Sequence, residues 1–152
     1  MKRQDFHRKL TERWPETGLD EDCENGLVVP VEAIHDIMQL LRDDPETECD
    51  YLDFITAVDH PPEHMHVVYS LYSLGKQHRI QLKVIVDRDA PTAPTVSHLW
   101  TNAEWNERET YDLYGVVFPG LKDPRRLLMP EDWEGHPMRK DYLHANLASK
   151  PD

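Results

Sequence analysis

The chain has 152 residues, which at the usual ~150 residues per domain is one domain's worth, and 39% of them are hydrophobic, enough for an ordinary core. Its 17 Lys and Arg stand against 29 Asp and Glu, a formal net charge of −12 with His neutral; such a charge repels phosphate backbones and anionic headgroups. Nucleic-acid binding and membrane docking through a basic patch are therefore disfavoured.

Cys23 and Cys49 are too few for a disulfide framework and lie among acidic residues that would not stabilise a thiolate, which suits a reducing compartment. Met1-Lys2-Arg3 continues into Gln4-Asp5-Phe6-His7-Arg8-Lys9 without the apolar stretch of a signal peptide. Leu27-Val28-Val29-Pro30-Val31 is broken by Glu32, far short of the ~20 apolar residues of a membrane span. No direct membrane insertion is expected, and any membrane association should run through another protein.

Phe6, Leu10 and Trp14 recur at four-residue spacing in a charged background, predicting a short amphipathic helix ended by Pro15. A loop from Gly18 to Gly26 should follow, then a short strand over Leu27 to Val29. Pro30 suits the first turn of a helix whose Val31, Ile34, Ile37, Met38 and Leu41 share one face, with Asp43-Asp44-Pro45 as its stop. Three β-forming runs come next, Tyr51 to Val58, Val67 to Leu74 and Arg79 to Val86, the last two joined through Gly75 in a tight hairpin. Pro91 and Pro94 make residues 87–97 a rigid connector, and a helix should start near Val96 or Asn102 and run to about Tyr114. Beyond Gly115 the density of Pro and Gly forbids a regular element and predicts an extended tail. The tail's charges are balanced, six of each sign in residues 121–152, so it can pair with itself or with a partner.

Three clusters bear on chemistry. On a helix, Glu104, Arg108 and Asp112 fall at i, i+4 and i+8, either as an alternating-sign ladder or, less favoured by spacing alone, as carboxylates for acid/base catalysis of the glycosidase kind; Trp105 and Leu113 add apolar area beside them. His60, His64 and His66 are the one place where metal ligation is tempting, since three imidazoles with an open position suit catalytic zinc; their setting is that of a loop feeding a strand. In Trp133-Glu134-Gly135-His136-Pro137-Met138-Arg139-Lys140-Asp141-Tyr142, Gly135 permits a turn and Pro137 keeps His136 extended. His136 is then a hydrogen-bonded contact, with general base as the rival role. No Gly-x-Ser-x-Gly, dinucleotide fingerprint, phosphate loop or Cys-x-x-Cys spacing occurs, so no cofactor site is expected on this chain.

Glu107-Arg108-Glu109-Thr110-Tyr111-Asp112-Leu113-Tyr114-Gly115-Val116-Val117-Phe118, followed by Arg125-Arg126-Leu127-Leu128 and Gly135-His136-Pro137-Met138-Arg139-Lys140-Asp141-Tyr142, resembles the signature of the C subunit of respiratory complex I. The resemblance extends upstream through Leu52-Asp53-Phe54-Ile55-Thr56-Ala57-Val58-Asp59 and Val67-Val68-Tyr69-Ser70-Leu71. It implies an α+β fold, a small mostly antiparallel sheet packed with helices over residues 1–120, followed by an extended C-terminal, partner-binding tail over 121–152. It further implies a non-catalytic scaffold in the peripheral arm of an ion-translocating NADH:quinone oxidoreductase, at the cytoplasmic face of the cell membrane. That scaffold would brace the quinone-site D subunit among other peripheral-arm subunits. NADH, flavin, iron–sulfur clusters and quinone are then expected on those partners.

Carried onto this chain, Glu107, Arg108, Glu109, Tyr111, Asp112 and Tyr114 in the helix, with Arg125, Arg126, His136, Arg139, Lys140 and Asp141 in the tail, become candidates for structural or inter-subunit contacts. The sequence departs from the family pattern at Gly120-Leu121-Lys122-Asp123-Pro124, where Gly-His-Pro-Asp-Leu is usual, and at Leu143, where proline is usual. Two rivals stay open: the equivalent subunit of a membrane-bound hydrogenase or F420 dehydrogenase complex, and a small metal hydrolase using His60, His64 and His66. Self-association of the isolated chain, through surface meant for its partner, is a further expectation.

Overall fold

The computed structural model describes residues 1–143. In chain order they form α1 (Arg3–Thr11), β1 (Gly18–Leu19), β2 (Gly26–Val28), a 3₁₀ turn (Val31–Ala33), α2 (Ile34–Asp43), β3 (Tyr51–His60), β4 (His64–Ser73), β5 (His78–Asp87) and α3 (Ala103–Tyr114). The sheet order is β1-β2-β5-β4-β3, antiparallel except where β2 lies parallel to β5. This is the expected α+β class. The last nine residues of the expected tail, 144–152, lie outside the described residues.

Helical periodicity works as anticipated. Phe6 and Leu10 of α1 and Ile34, Ile37, Met38 and Leu41 of α2 are fully buried in one core cluster. Pro30, however, precedes a 3₁₀ turn, so α2 begins at Ile34, later than the proline suggested. The core face of the sheet brings Leu52, Ile55 and Ala57 of β3 beside Met65, Val67, Tyr69 and Leu71 of β4, and these beside Ile80, Leu82, Val84 and Val86 of β5.

Two local features escape the alternation rule. Leu52 pairs with Leu71 but Phe54 pairs with Ser70, so Asp53 is an extra residue, a bulge that turns Ile55, Ala57 and Asp59 inward and Phe54 and Val58 outward. In the β4–β5 hairpin the left-handed residue is Gln77, at φ 53°, and not Gly75; the Gln77 N–H closes the turn on the Ser73 carbonyl at 2.9 Å.

α3 lies along the free edge of β3. Asn102 donates to the Leu52 carbonyl at 2.8 Å, Asn106 accepts the Ile55 N–H at 3.2 Å, and Thr110 donates to the Ile55 carbonyl at 3.2 Å. Asn102, just before the helix, and two helix side chains thus do the work of a neighbouring strand and shield an edge that would otherwise invite foreign pairing. Gly115, at φ 82°, ends α3 with its N–H on the Tyr111 carbonyl. The chain then returns to the connector, where Val117 bridges Thr92.

The Tyr69 hydroxyl is buried in the core with no hydrogen-bond partner among the described residues. Removing an orphaned polar group relieves its desolvation, so Tyr69→Phe should leave the unfolding free energy unchanged or raise it by up to ~1 kcal/mol. Urea titration of the two proteins checks this; a clear loss of stability would show that the hydroxyl is bonded. A second expectation concerns His66, which sits between Val58 and Ile85 on the opposite sheet face. Burial, then His60, Lys83 and His64, pushes its pKa from 6.5 down to about 4. The unfolded chain therefore takes up the proton first, so the fold loses stability as pH falls from 6.5 towards 4. Unfolding midpoints followed across that range should slope less for His66→Gln than for the parent chain.

Candidate partner-docking surface

Spacing on α3 suggested a Glu104–Arg108–Asp112 ladder, but both inward residues are taken by the tail. Arg108 donates through Nε to the Arg125 carbonyl at 3.1 Å and through Nη2 to the Arg126 carbonyl at 3.2 Å, with Asp123 at 3.6 Å. Asp112, with no exposed surface, accepts the N–H groups of Leu127, Leu128 and Met129 at 3.1, 2.6 and 2.8 Å and pairs with Arg126 at 2.8 Å. Burial opposes its charge, but the Met129 N–H, Arg126 and the other two N–H groups outweigh that and hold the carboxyl below its ordinary range. Arg126 reaches on to the carbonyls of Trp133 and Gly135, both at 2.8 Å.

Glu107 is likewise fully buried. It accepts the Val96 N–H at 2.7 Å and bonds Thr95 at 2.6 Å, tying the connector to α3. Burial dominates and lifts its carboxyl to about 7 against those two bonds. A carboxyl held near neutrality would suit a general acid, but the oxygens of Glu107 are spent on the connector, and the other buried carboxylate of α3, Asp112, is spent on the tail. The glycosidase alternative is left without its free pair on that helix face.

A second fastening holds the far end of the tail. Asp59, buried at the end of β3, pairs with Arg88 through two bonds of 2.7 and 3.0 Å and accepts the Lys140 N–H at 2.8 Å. Asp141 meets Arg88 at 2.9 Å, and Arg139 donates to the Arg88 carbonyl at 2.7 Å. Between the two fastenings His136 bonds the Asp112 carbonyl at 3.0 Å and the Met138 N–H bonds the Leu113 carbonyl at 2.9 Å. A Cβ on Gly115 would come within 2.7 Å of the His136 ring; glycine there both permits the left-handed cap and admits the histidine.

Glu107, Arg108, Asp112, Arg126, His136, Arg139, Asp141 and the backbone of Lys140 are thus engaged inside the chain. Tyr111 lies edge-on to His136 at 5.6 Å, and Tyr114 bonds Thr56. Glu109 and Arg125 face outward, Arg125 pairing with Asp123 at 2.8 Å. This framework also leaves apolar side chains outside. Trp105 is 57% exposed with the Arg108 guanidinium 5.0 Å from its ring centre, Leu128 is 60% exposed, and Met138 closes a groove of about 420 Å³ between α3 and β3.

Sequence reasoning misses the Asp59–Arg88 pair, although a carboxylate two residues beyond core-facing Ala57 is a sign of one, and it counts Trp105 only as apolar area. The imidazoles of His60, His64 and His66 stack on one another with ring centres 4.0 to 5.3 Å apart. Among the described residues no group of three or more His, Cys, Asp or Glu is placed to hold a metal ion, so the metal-hydrolase alternative lacks its ligand set there. Burial pushes the Cys49 thiol up to about 12, which removes it as a nucleophile. No helix among the described residues is long and apolar enough to cross a membrane.

Residues 27–146 match the family described as respiratory-chain NADH dehydrogenase, 30 Kd subunit. The chain is 46% identical over 112 residues to the C subunit of NADH-quinone oxidoreductase from Roseiflexus castenholzii, covering 72% of this chain and 64% of that protein. It is 48% identical over 118 residues to the corresponding C subunit from Erythrobacter litoralis, covering 76% and 46%. The chain thus spans about half to two thirds of the length of these relatives. Among solved structures it is similar to a trypsin-resistant fragment (1-134) of Nqo5, with a TM-score of 0.66 and 32% identity over 80% of this chain and 98% of that one. A chain of the membrane-bound sulfane sulfur reductase, an archaeal respiratory membrane complex, superposes with a TM-score of 0.72 and 27% identity, covering 93% and 86%. Fold, motifs and relatives agree: the chain belongs to the 30 Kd subunit family of the respiratory-chain NADH dehydrogenases, which includes the C subunits of NADH-quinone oxidoreductase.

Proposed function

We propose that this chain is a non-catalytic scaffold subunit of the peripheral arm of an ion-translocating NADH:quinone oxidoreductase, at the cytoplasmic face of the membrane. There it braces the quinone-site D subunit, while NADH, flavin, iron–sulfur clusters and quinone are held by partner subunits. The observation that carries this reading is the division of labour in the tail. Its Arg126, Arg139 and Asp141 are spent on fixing it to the domain, while its Leu128 and Met138, with Trp105 of α3 beside them, stay outside. A surface ordered before it meets its partner loses little conformational entropy on docking, and a tryptophan with an arginine stacked on it is the composition of an interface hot spot.

The tail therefore acts as a shaped surface laid on its own domain more than as a free arm. A second reading, the equivalent subunit of a complex with another electron donor such as a hydrogenase or F420 dehydrogenase, is favoured by the similarity to the sulfane sulfur reductase chain. The relatives from NADH-quinone oxidoreductase favour the first.

Trp105→Ala and Leu128→Glu should each weaken association with the D subunit at least ~10-fold, about 1.4 kcal/mol, with the unfolding midpoint unchanged. Co-purification and titration of the paired subunits measure this; native affinity in both variants would refute the docking surface. Asp112→Ala strands the Arg126 guanidinium and three N–H groups, so it should cost about 3 kcal/mol of stability. It should also open the bonds after Arg125 and Arg126 to trypsin. Limited proteolysis read by mass spectrometry checks the release, and a tail as resistant as the parent's would show that Asp112 does not hold it.

A further inference from the structure

α3 carries two carboxyl groups with no exposed surface, Glu107 and Asp112, and they are surrounded differently. Asp112 has three N–H groups and a guanidinium around it. Glu107 has one N–H, from Val96 at 2.7 Å, one hydroxyl, that of Thr95 at 2.6 Å, and no ion pair among the described residues. The titratable groups it feels are Glu104, one turn earlier on α3, and Tyr69 on β4; neither supplies a positive charge. The connector facing it presents the Thr95 and Ser97 hydroxyls, 2.9 Å apart, with the Ser97 N–H on Thr95 Oγ1 at 3.2 Å. Thr95 is in turn joined to the point where the tail departs. Its N–H donates to the Pro119 carbonyl at 3.3 Å, and its methyl group lies 2.9 Å from where a Cβ on Gly120 would stand.

We propose that Glu107 is a proton-operated latch: with its carboxyl protonated it holds the 95–97 segment against α3, and release of that proton loosens 95–97 and, through Pro119 and Gly120, the root of the tail. A hydroxyl has one proton to give, so the three oxygens in line fit two arrangements. In the neutral one the Glu107 O–H donates to Thr95 Oγ1, Thr95 donates to Ser97, and Ser97 donates to water. In the ionised one the donations run the other way, Ser97 to Thr95 and Thr95 to Glu107; one proton has passed to water by exchange along the O–H groups, and no other bond has changed. The carboxylate then has two donors and no counter-charge. Out of water it is destabilised far more than the acid, and water reaches it by entering beside Thr95 and Ser97, the partly exposed side of the site. Around Asp112 the Arg126 guanidinium removes that need, so one carboxyl of α3 fastens the tail as a charge and the other fastens its root as an acid. Burial lifts the Glu107 carboxyl from 4.5 to about 7, which puts the change in the neutral range. A carboxyl that holds its proton more tightly in the folded chain withdraws stability as pH rises from 4.5 through 7. The latch works whichever subunit the tail meets, so it stands or falls apart from the docking surface.

The test uses the full chain with isotope-labelled glutamate, the carboxyl carbon signal of Glu107 reporting its protonation and amide hydrogen exchange reporting the latch. The signal should titrate with a midpoint of about 7. Between about pH 6 and about pH 8 the protection of the Thr95 and Val96 amides, corrected for the intrinsic pH dependence of exchange, should fall at least ~10-fold, while that of α1 stays level. Glu107→Gln is neutral at every pH and keeps an acceptor for the Val96 N–H; its protection should be the same at both pH values. Its unfolding midpoint should be no lower than the parent's at the higher one. Thr95→Val removes one of the two donors to the carboxylate and should move the Glu107 midpoint upward, a readout that does not need the glutamine variant to fold. A Glu107 carboxyl already ionised at the lower pH, equal protection at both pH values in the parent, a fall that persists in Glu107→Gln, or a midpoint unmoved by Thr95→Val would overturn the proposal.

Discussion

The Asp112 carboxylate is withdrawn from solvent and yet surrounded by donors: three consecutive backbone N–H groups from Leu127 to Met129 and the guanidinium of Arg126. An ionised carboxylate taken out of water costs several kcal/mol unless its lone pairs are satisfied, so the pocket is stable only when the tail is in place. The dependence runs both ways. With Pro124, Pro130 and Pro137 in it, the tail cannot make a helix or strand to satisfy its own backbone, and Asp112 supplies the acceptor that secondary structure would have supplied. The Asp59–Arg88 pair repeats the device at the other end, accepting the Lys140 N–H and placing Asp141. A segment without regular structure is thereby given one conformation by two carboxylates rooted in regular elements.

How legible this was follows from the range of each signal. The apolar spacing of α1 and α2, the β-forming runs and the Gly115 stop are local signals, and they place the elements to within a few residues. The Asp53 bulge and the left-handed Gln77 are set by pairing and turn geometry, which residue types alone report weakly. Charges are harder still. On an isolated helix Arg108 and Asp112 at i and i+4 attract each other for a few tenths of a kcal/mol, whereas the tail offers Asp112 three N–H donors and a guanidinium in a buried site. The stronger, long-range set of partners wins, and nothing in the local spacing announces it.

Residues that shape the surface differ from residues that form it. A charged side chain in a recurring motif suggests contact with a partner, but Glu107, Arg108 and Asp112 are inside the chain, where their desolvation is already compensated. Such residues set the conformation of the surface and are not themselves on it. The groups available to touch it are their neighbours, Trp105, Glu109, Arg125 and Leu128, which carry little of the internal hydrogen bonding.

The two sides of the sheet differ in the same way. On the core side apolar residues from three strands meet two amphipathic helices, and on the edge α3 satisfies β3 with amide and hydroxyl groups. On the other side polar groups supply the cover: Asp20 and Asp22 sit on Lys83 and Asp53 on Ser70, while Val58 and Ile85 stay exposed beside His66, whose pKa burial lowers to about 4.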